Sequence, residues 1–394
     1  MKLLKSRCYG VFFLIFALSV SGCSIFNREV DNIEISPSPK VMNQLSLIES
    51  WTTSVKGHTP IYSLLGPASY GDIVYLASRD GQIKAISIKN GNKTLWKTSV
   101  AIGSLFSHKP ALLSGGVSAD GKYVYVGSEK AIVYALDRLT GKIAWQQDVA
   151  GEVLAKPVSV NGVLLIHTSN GFLQALSRKT GRVIWQTNLD VPPLSLRGQS
   201  VPTIDHNTVV VGDSHGHVNA VALKDGLLIW KQRISQPSGA TEIARLSDVD
   251  VSPVVIGNVV YALGYNGNMV GLDLGSGQLL WHRNIGSTHN FIVSGNRIYL
   301  VDQNDSIKSL NLDGGGLIWQ QNNLKNRRLT DPIFYKGYIV VGDFEGYLYL
   351  LAPKTGDFVY KAKVNASDLL SAPIVMKDQL IIQGQDGTAH AFVL

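Results

Sequence analysis

A small residue, a glycine six positions on and a tryptophan four beyond that recur down the chain. Ala135, Gly141 and Trp145 keep this spacing, as do Ala175, Gly181 and Trp185, and Ala220, Gly226 and Trp230. Gly271, Gly277 and Trp281 vary only the first member, as do Ser309, Gly315 and Trp319. Ala85, Gly91 and Trp96 stretch it by one residue, and Leu350, Gly356 and Tyr360 exchange the aromatic. Six of the seven tryptophans occupy this one position, so the repeat, and not any single residue, is what the fold must explain.

Each copy reads as four strands. The third runs "KPVSV", a turn at Asn161 and Gly162, "VLLIHTS", a turn at Asn170 and Gly171, "FLQALS", a turn at Thr180 and Gly181, then "RVIWQTN". Asn-Gly between apolar runs is a strong hairpin signal, because both residues tolerate positive φ. Pro67, Pro110, Pro157, Pro202, Pro253, Pro332 and Pro373 introduce the first strand of seven copies, where a missing amide costs least. Copy six, "HNFIVSGNRIYLV", lacks it. The spacings from Trp96 through the aromatics to Tyr360 are 49, 40, 45, 51, 38 and 41 residues, which suits propeller blades. The last copy stops at "GTAHAFVL" without its fourth strand, while Trp51 stands upstream of the first. The expected fold is therefore all-β: an eight-bladed β-propeller of four-stranded antiparallel blades, closed by the N-terminal strand. The tryptophans are expected to pack between blades.

The first residues fall outside that grammar. Lys2, Lys5 and Arg7 precede "VFFLIFALSV", an apolar run too short to cross a bilayer as a helix, which needs roughly 20 residues. It reads as a secretion signal. Its end, Val20, Ser21, Gly22 and Cys23, resembles the lipobox of bacterial lipoproteins, in which cleavage precedes an acylated cysteine; an ordinary signal with an incidental cysteine is the alternative. The expected organisation is a signal peptide over 1–22, a lipidated Cys23 and flexible tether over 23–45, and the propeller over 46–394. The chain has two cysteines, Cys8 in the signal and Cys23 at its end, so the mature domain has no thiol for a disulfide, nucleophile or metal. Several acyl chains anchor a protein stably where one does not. In lipoproteins an aspartate after the lipidated cysteine tends to retain the protein at the inner membrane. Ser24 at this place favours the outer membrane.

Three signal cations account for part of the formal charge of +7, and no Lys/Arg cluster stands out, so nucleic-acid binding is not expected. His215 and His217 flank Gly216 in a turn and read as turn residues, not metal ligands. "GGVSADGK" (115–122) reads as a long hairpin turn. Nucleophile elbows, phosphate loops and zinc helices are absent from the sequence.

Two connectors are long. "NLDVPPLSLRGQSVP" (188–202) joins blades three and four, and "ISQPSGATEIARLSDVDVSP" (234–253) joins four and five. Connectors from outer to inner strands share one face of a propeller, so these two lie side by side. Added loop length on a rigid scaffold usually serves binding. Leu194, Leu196 and Arg197 on the first and Asp248 and Asp250 on the second are the candidates, with Arg197 meeting a partner's carboxylate or capping the ring mouth against the two aspartates. On the residues alone, Leu194 and Leu196 could equally pack under the ring, with Arg197 paired to an acid of its own chain.

The repeat "ALDRLTGKIAW" (135–145) resembles that of the quinoprotein tryptophan-docking propellers. That resemblance implies the fold and says little about activity; the adjacent cysteine pair often found beside the quinone is missing, and no acidic cluster suggests calcium. The lipobox, tether, eight blades, "LSLRG" and "RLSDVD" together resemble the BamB family of lipoproteins of the outer-membrane β-barrel assembly machine. That likeness implies a non-enzymatic scaffold without cofactor, lipid-anchored at the outer membrane and facing the periplasm. It would bind the periplasmic domains of the barrel-forming core subunit and help supply unfolded outer-membrane proteins, with Leu194, Leu196, Arg197, Asp248 and Asp250 on the docking face. A quinone-linked or ligand-sensing periplasmic protein is the alternative.

Overall fold

The computed structural model describes residues 34–55, 65–104, 107–365, 367–369 and 371–394; the signal segment and Cys23 lie outside them. Eight four-stranded antiparallel sheets follow one another through Ser36–Leu394. Seven are consecutive meanders, blades one to seven, over 68–99, 113–148, 158–188, 203–233, 254–283, 292–321 and 333–363. Blade eight takes Ile374–Met376, Gln379–Gln383 and Thr388–Val393 from the C-terminus, and Ile48–Ser54 pairs with the last of these as its outer strand. The expected closure by the N-terminal strand is thus the observed one.

The recurring triplet explains how blades join. The small residue of the third strand lies opposite its own tryptophan, as Ala135 opposite Trp145 and Ala175 opposite Trp185. The tryptophan ring then lies over the glycine turn of the next blade: a Cβ on Gly181, which sits at φ +76°, would come within 2.7 Å of the Trp145 ring. Only glycine meets both the positive φ and the close approach. Indole N–H groups also donate across the seam, from Trp51 to the Ile88 carbonyl, Trp96 to Arg138, Trp145 to Arg178, Trp185 to Leu223, Trp230 to Leu274 and Trp319 to Pro353, at 2.7–3.0 Å. Trp51 on Gly91 closes the ring between blades eight and one. Tyr360 has no such turn to cover, because blade eight draws its outer strand from elsewhere; Leu45 and Leu47 pack beside it instead. The smaller ring leaves room for Leu350 opposite.

Three details differ from the sequence reading. Gly115 and Gly116 belong not to a hairpin turn but to a bulge inside the first strand of blade two, Leu113–Ala119, where the register shifts between Ser114 and Val117. Both have positive φ, and a Cβ on Gly115 would strike the backbone of Val153–Ala155. The turn itself is confined to Asp120–Lys122, where Asp120 accepts N–H bonds from Lys122 and Tyr123. Secondly, the part of the expected tether from Ser36 to Leu45 is bonded along blade seven. Ser36 donates its N–H to the Lys325 carbonyl at 3.0 Å and Gln44 donates to Val359 at 2.8 Å. The buried Arg327, held by Asp343 and Glu345, donates to the Ser36 carbonyl at 2.9 Å. Thirdly, the connector between blades one and two is also long and carries a small hairpin, Ile102–Ser104 with Ser107–Lys109.

Candidate functional site

In a four-stranded meander the turn between the second and third strands emerges on the same face as the connector to the next blade. On that face the two long connectors lock together. Asp248 is fully buried, and its Oδ1 accepts the Leu196 N–H at 2.9 Å. Gly198 packs directly on Asp250: a Cβ there would lie 2.3 Å from Oδ2. Further along, Ser200 Oγ donates to the Val251 carbonyl at 3.3 Å, the Val201 N–H to Ser252 Oγ at 3.3 Å, and Thr203 Oγ1 to the Pro253 carbonyl at 2.5 Å. The second connector is itself seated on blade four, where the Val249 N–H donates to the Asp213 carbonyl at 3.0 Å.

Both aspartates are held toward their neutral forms. Burial pushes the Asp248 carboxyl up from its ordinary value, and its Oδ2 is buried without a hydrogen-bond partner. Asp250 is pushed up to about 8, first by burial and then by the charge of Asp248. Removing water from a carboxylate without supplying a cation has this effect. These groups therefore act through packing and hydrogen bonding to the neighbouring connector.

Arg197 does not meet them. Its Nη2 lies 2.9 Å from Glu129 Oε2 and its Nη1 3.2 Å from Glu152 Oε2. Glu129 is in turn held by the buried Arg79, whose Nε donates to Oε1 at 3.0 Å and whose Nη2 pairs with Oε2. The result is a ladder of alternating charge, Arg79, Glu129, Arg197 and Glu152, that crosses from blade one to the connector ahead of blade four. The Asp248 and Asp250 carboxyls are turned onto the connector backbone and are unavailable as the charge partners expected for Arg197. The Arg197 side chain remains 54% exposed, Leu194 is 48% exposed and Leu196 half-buried.

Glu129, Glu152 and Arg79 were not singled out in the sequence. Arg79 and Glu129 occupy equivalent places in the turns "SRDG" and "SEKA", where blade three has Ser169; aligning the turns would have marked them as charged departures from the repeat.

His215 lies in the expected turn, half-buried, but His217 opens the third strand of blade four and is buried with its Nδ1 3.2 Å from Asp213 Oδ1, so neither is the solvent-exposed turn residue that the sequence suggests. Asp213 Oδ1 accepts both their backbone N–H groups at 2.9 Å, and Oδ2 accepts from Asn219 Nδ2 at 3.0 Å. Among the described residues, no group of three or more His, Cys, Asp or Glu side chains is placed to hold a metal. A cavity of about 400 Å³ lies between the first strands of blades one, two, three and eight, with Lys156, Ser118 and Ile374 in its wall.

The family model described as outer membrane protein assembly factor BamB matches residues 79–307 and 303–393. The chain belongs to the BamB family. The BamB of Yersinia pestis is 51% identical over 395 residues, covering all of both chains, and that of Escherichia coli K12 is 50% identical over 374 residues, covering 94% of this chain and 95% of the other. The crystal structure of BamB from Moraxella catarrhalis superposes with a TM-score of 0.79 at 25% identity, covering 89% of this chain and all of the other. A quinohemoprotein alcohol dehydrogenase from Comamonas testosteroni matches with a TM-score of 0.66 at 13% identity, a likeness of fold alone.

Proposed function

We propose that this chain is a non-catalytic scaffold of outer-membrane protein assembly, docking through its interlocked connectors to the periplasmic domains of the barrel-forming core subunit and aiding delivery of client chains. It is not an enzyme; relatives about half identical along nearly their whole length are named assembly factors. Acylation of Cys23 holds it at the outer membrane, facing the periplasm.

The observation that carries the docking reading is the presentation of Leu194, Leu196 and Arg197 on a loop fastened from below by Asp248 and Asp250 and from the side by Glu129 and Glu152. A fixed loop loses little freedom on binding, and apolar and arginine anchors dominate interface energies. Leu194 would enter a recess or lie along a strand edge of the partner, while the exposed part of the Arg197 guanidinium takes a carboxylate or carbonyl.

Truncating Leu194 or Arg197 to alanine should each cost about 2 kcal/mol of binding, roughly thirtyfold in affinity. Binding of these variants to the core subunit's periplasmic domains, with melting temperature recorded alongside, provides the test. Undiminished binding by a folded Leu194→Ala, Arg197→Ala variant would remove this face from the interface.

A further inference from the structure

Each fourth strand carries two side chains just ahead of its aromatic, at the bulge where the register with the third strand shifts. In blades three to six all eight are aliphatic and exposed. Val183 and Ile184 are 41% and 54% exposed, Leu228 and Ile229 54% and 50%, Leu279 and Leu280 48% and 54%, and Leu317 and Ile318 58% and 41%. Single exposed aliphatics need no explanation. Paired ones on the outer strands of four consecutive blades do, because such edges are normally blunted with charge. Blade eight has Glu49 and Ser50 at these positions.

Blade seven shows what covers such an edge. Its pair is Phe358 and Val359, yet Val359 is only 7% exposed, because the chain's own segment 36–47 runs antiparallel beside it. Leu45 and Leu47 pack on the cluster that contains Val359 and Tyr360, while Ser46 between them faces solvent. The Gln44 N–H donates to the Val359 carbonyl at 2.8 Å. The Asn43 side chain bonds both backbone groups of Lys361, at 3.0 and 2.8 Å. The covering element thus sets Leu45 and Leu47 against the blade with Ser46 outward, and is bonded to the main chain of the outer strand through Asn43 and Gln44.

We propose that the outer edges of blades three to six bind extended chain segments of this kind, apolar at alternate positions, as the strands of a transmembrane β-barrel are before they have folded. Main-chain bonds to the edge supply affinity without regard to sequence, and the aliphatic pairs select the alternating pattern. The proposal deepens the scaffold role and rests on it for the source of the segment.

The test uses the full chain with Cys23→Ala and two fluorescent ten-residue peptides. In one, Leu and Val alternate with Ser, Thr and Lys; in its isomer the same residues are regrouped with the apolar ones in one half. The alternating peptide should bind saturably and about tenfold tighter than the isomer, and the variant Ile184→Ser, Ile229→Ser, Leu280→Ser, Ile318→Ser should lose about tenfold in affinity. These side chains are exposed, so the melting temperature should hold. A photo-crosslinker on the peptide should mark 183–188, 228–233, 279–283 or 317–321. Equal binding by the two peptides, undiminished binding by the variant, or adducts confined to 188–202 and 234–253 would overturn the proposal. So would a variant that loses binding to phosphatidylethanolamine–phosphatidylglycerol vesicles but keeps the peptide, since the aliphatics would then serve lipid. The variant should still bind the core subunit's periplasmic domains, whereas the Leu194→Ala, Arg197→Ala variant should lose them and keep the peptide, so each reading can fail alone.

Discussion

Replacing Asp250 with asparagine should stabilise the protein, and increasingly so as the pH rises. The side chain packs under Gly198 with its carboxyl pushed up from 3.8 to about 8. Between those values the unfolded chain has released the proton while the folded chain still holds it, so native stability falls as pH rises through this window. A tenfold difference in proton affinity between the two states is worth about 1.4 kcal/mol, which sets an upper limit of about 6 kcal/mol. Solvent still reaches the half-buried side chain, and discounting by half or more for that leaves about 2–3 kcal/mol. Asparagine keeps the shape and holds no proton. Urea unfolding of both proteins at intervals from pH 4 to 9 should give a difference near zero at pH 4, a gain for Asp250→Asn of about 2–3 kcal/mol by pH 8, and no further change above it. A difference that is constant with pH, or one that shrinks as pH rises, would mean that Asp250 is an ordinary ionised carboxylate. The clamp beneath the connector 188–202 would then have to be charged.

Two further outcomes follow from the ring and the proposed anchor. Trp51→Ala removes a buried indole and its bond to Ile88 at the closing seam and should cost about 3–5 kcal/mol in urea unfolding; a loss under about 1 kcal/mol would show that the ring does not depend on this clasp. Cys23→Ala should abolish lipid incorporation and release the protein from the outer-membrane fraction, and retention of a lipid label in this variant would refute acylation at that residue.

Much of the fold could be read from residue spacing because each blade must solve the same packing problem. A tryptophan that lies on the next blade's turn requires glycine there and a small residue opposite, so the solution is written into sequence at fixed distances. Features that occur once have no such redundancy. Gly115 and Gly116 favour positive φ equally in a turn and in a bulge, and their neighbours do not say which. The segment 36–47 looks like a polar linker until Leu45 and Leu47 are seen against blade seven. The connector 188–202 was legible by its length, but the partners of Arg197 were not. Glu129 and Glu152 lie on other blades' turns and connectors, far from it in the chain, while the acids of the adjoining second connector are turned under its backbone.

Under the proposed acylation of Cys23, the strap along blade seven would also limit how far the propeller can stray from the membrane. Covalent geometry alone limits the thirteen residues from Cys23 to Ser36 to a span of at most about 45 Å at ~3.3–3.6 Å per residue. Released from blade seven, the chain would be free as far as Ile48, twenty-five residues, and could reach roughly 85 Å. Halving the reach would cut the accessible volume several-fold and raise the local concentration of the proposed docking face by a similar factor. Ser36 is held by Lys325 and Arg327 of the connector ahead of blade seven, so it lies on the same face that carries Leu194 and Arg197. A few hydrogen bonds on the flank of one blade would thus shorten the reach from Cys23 and start it beside the proposed docking face.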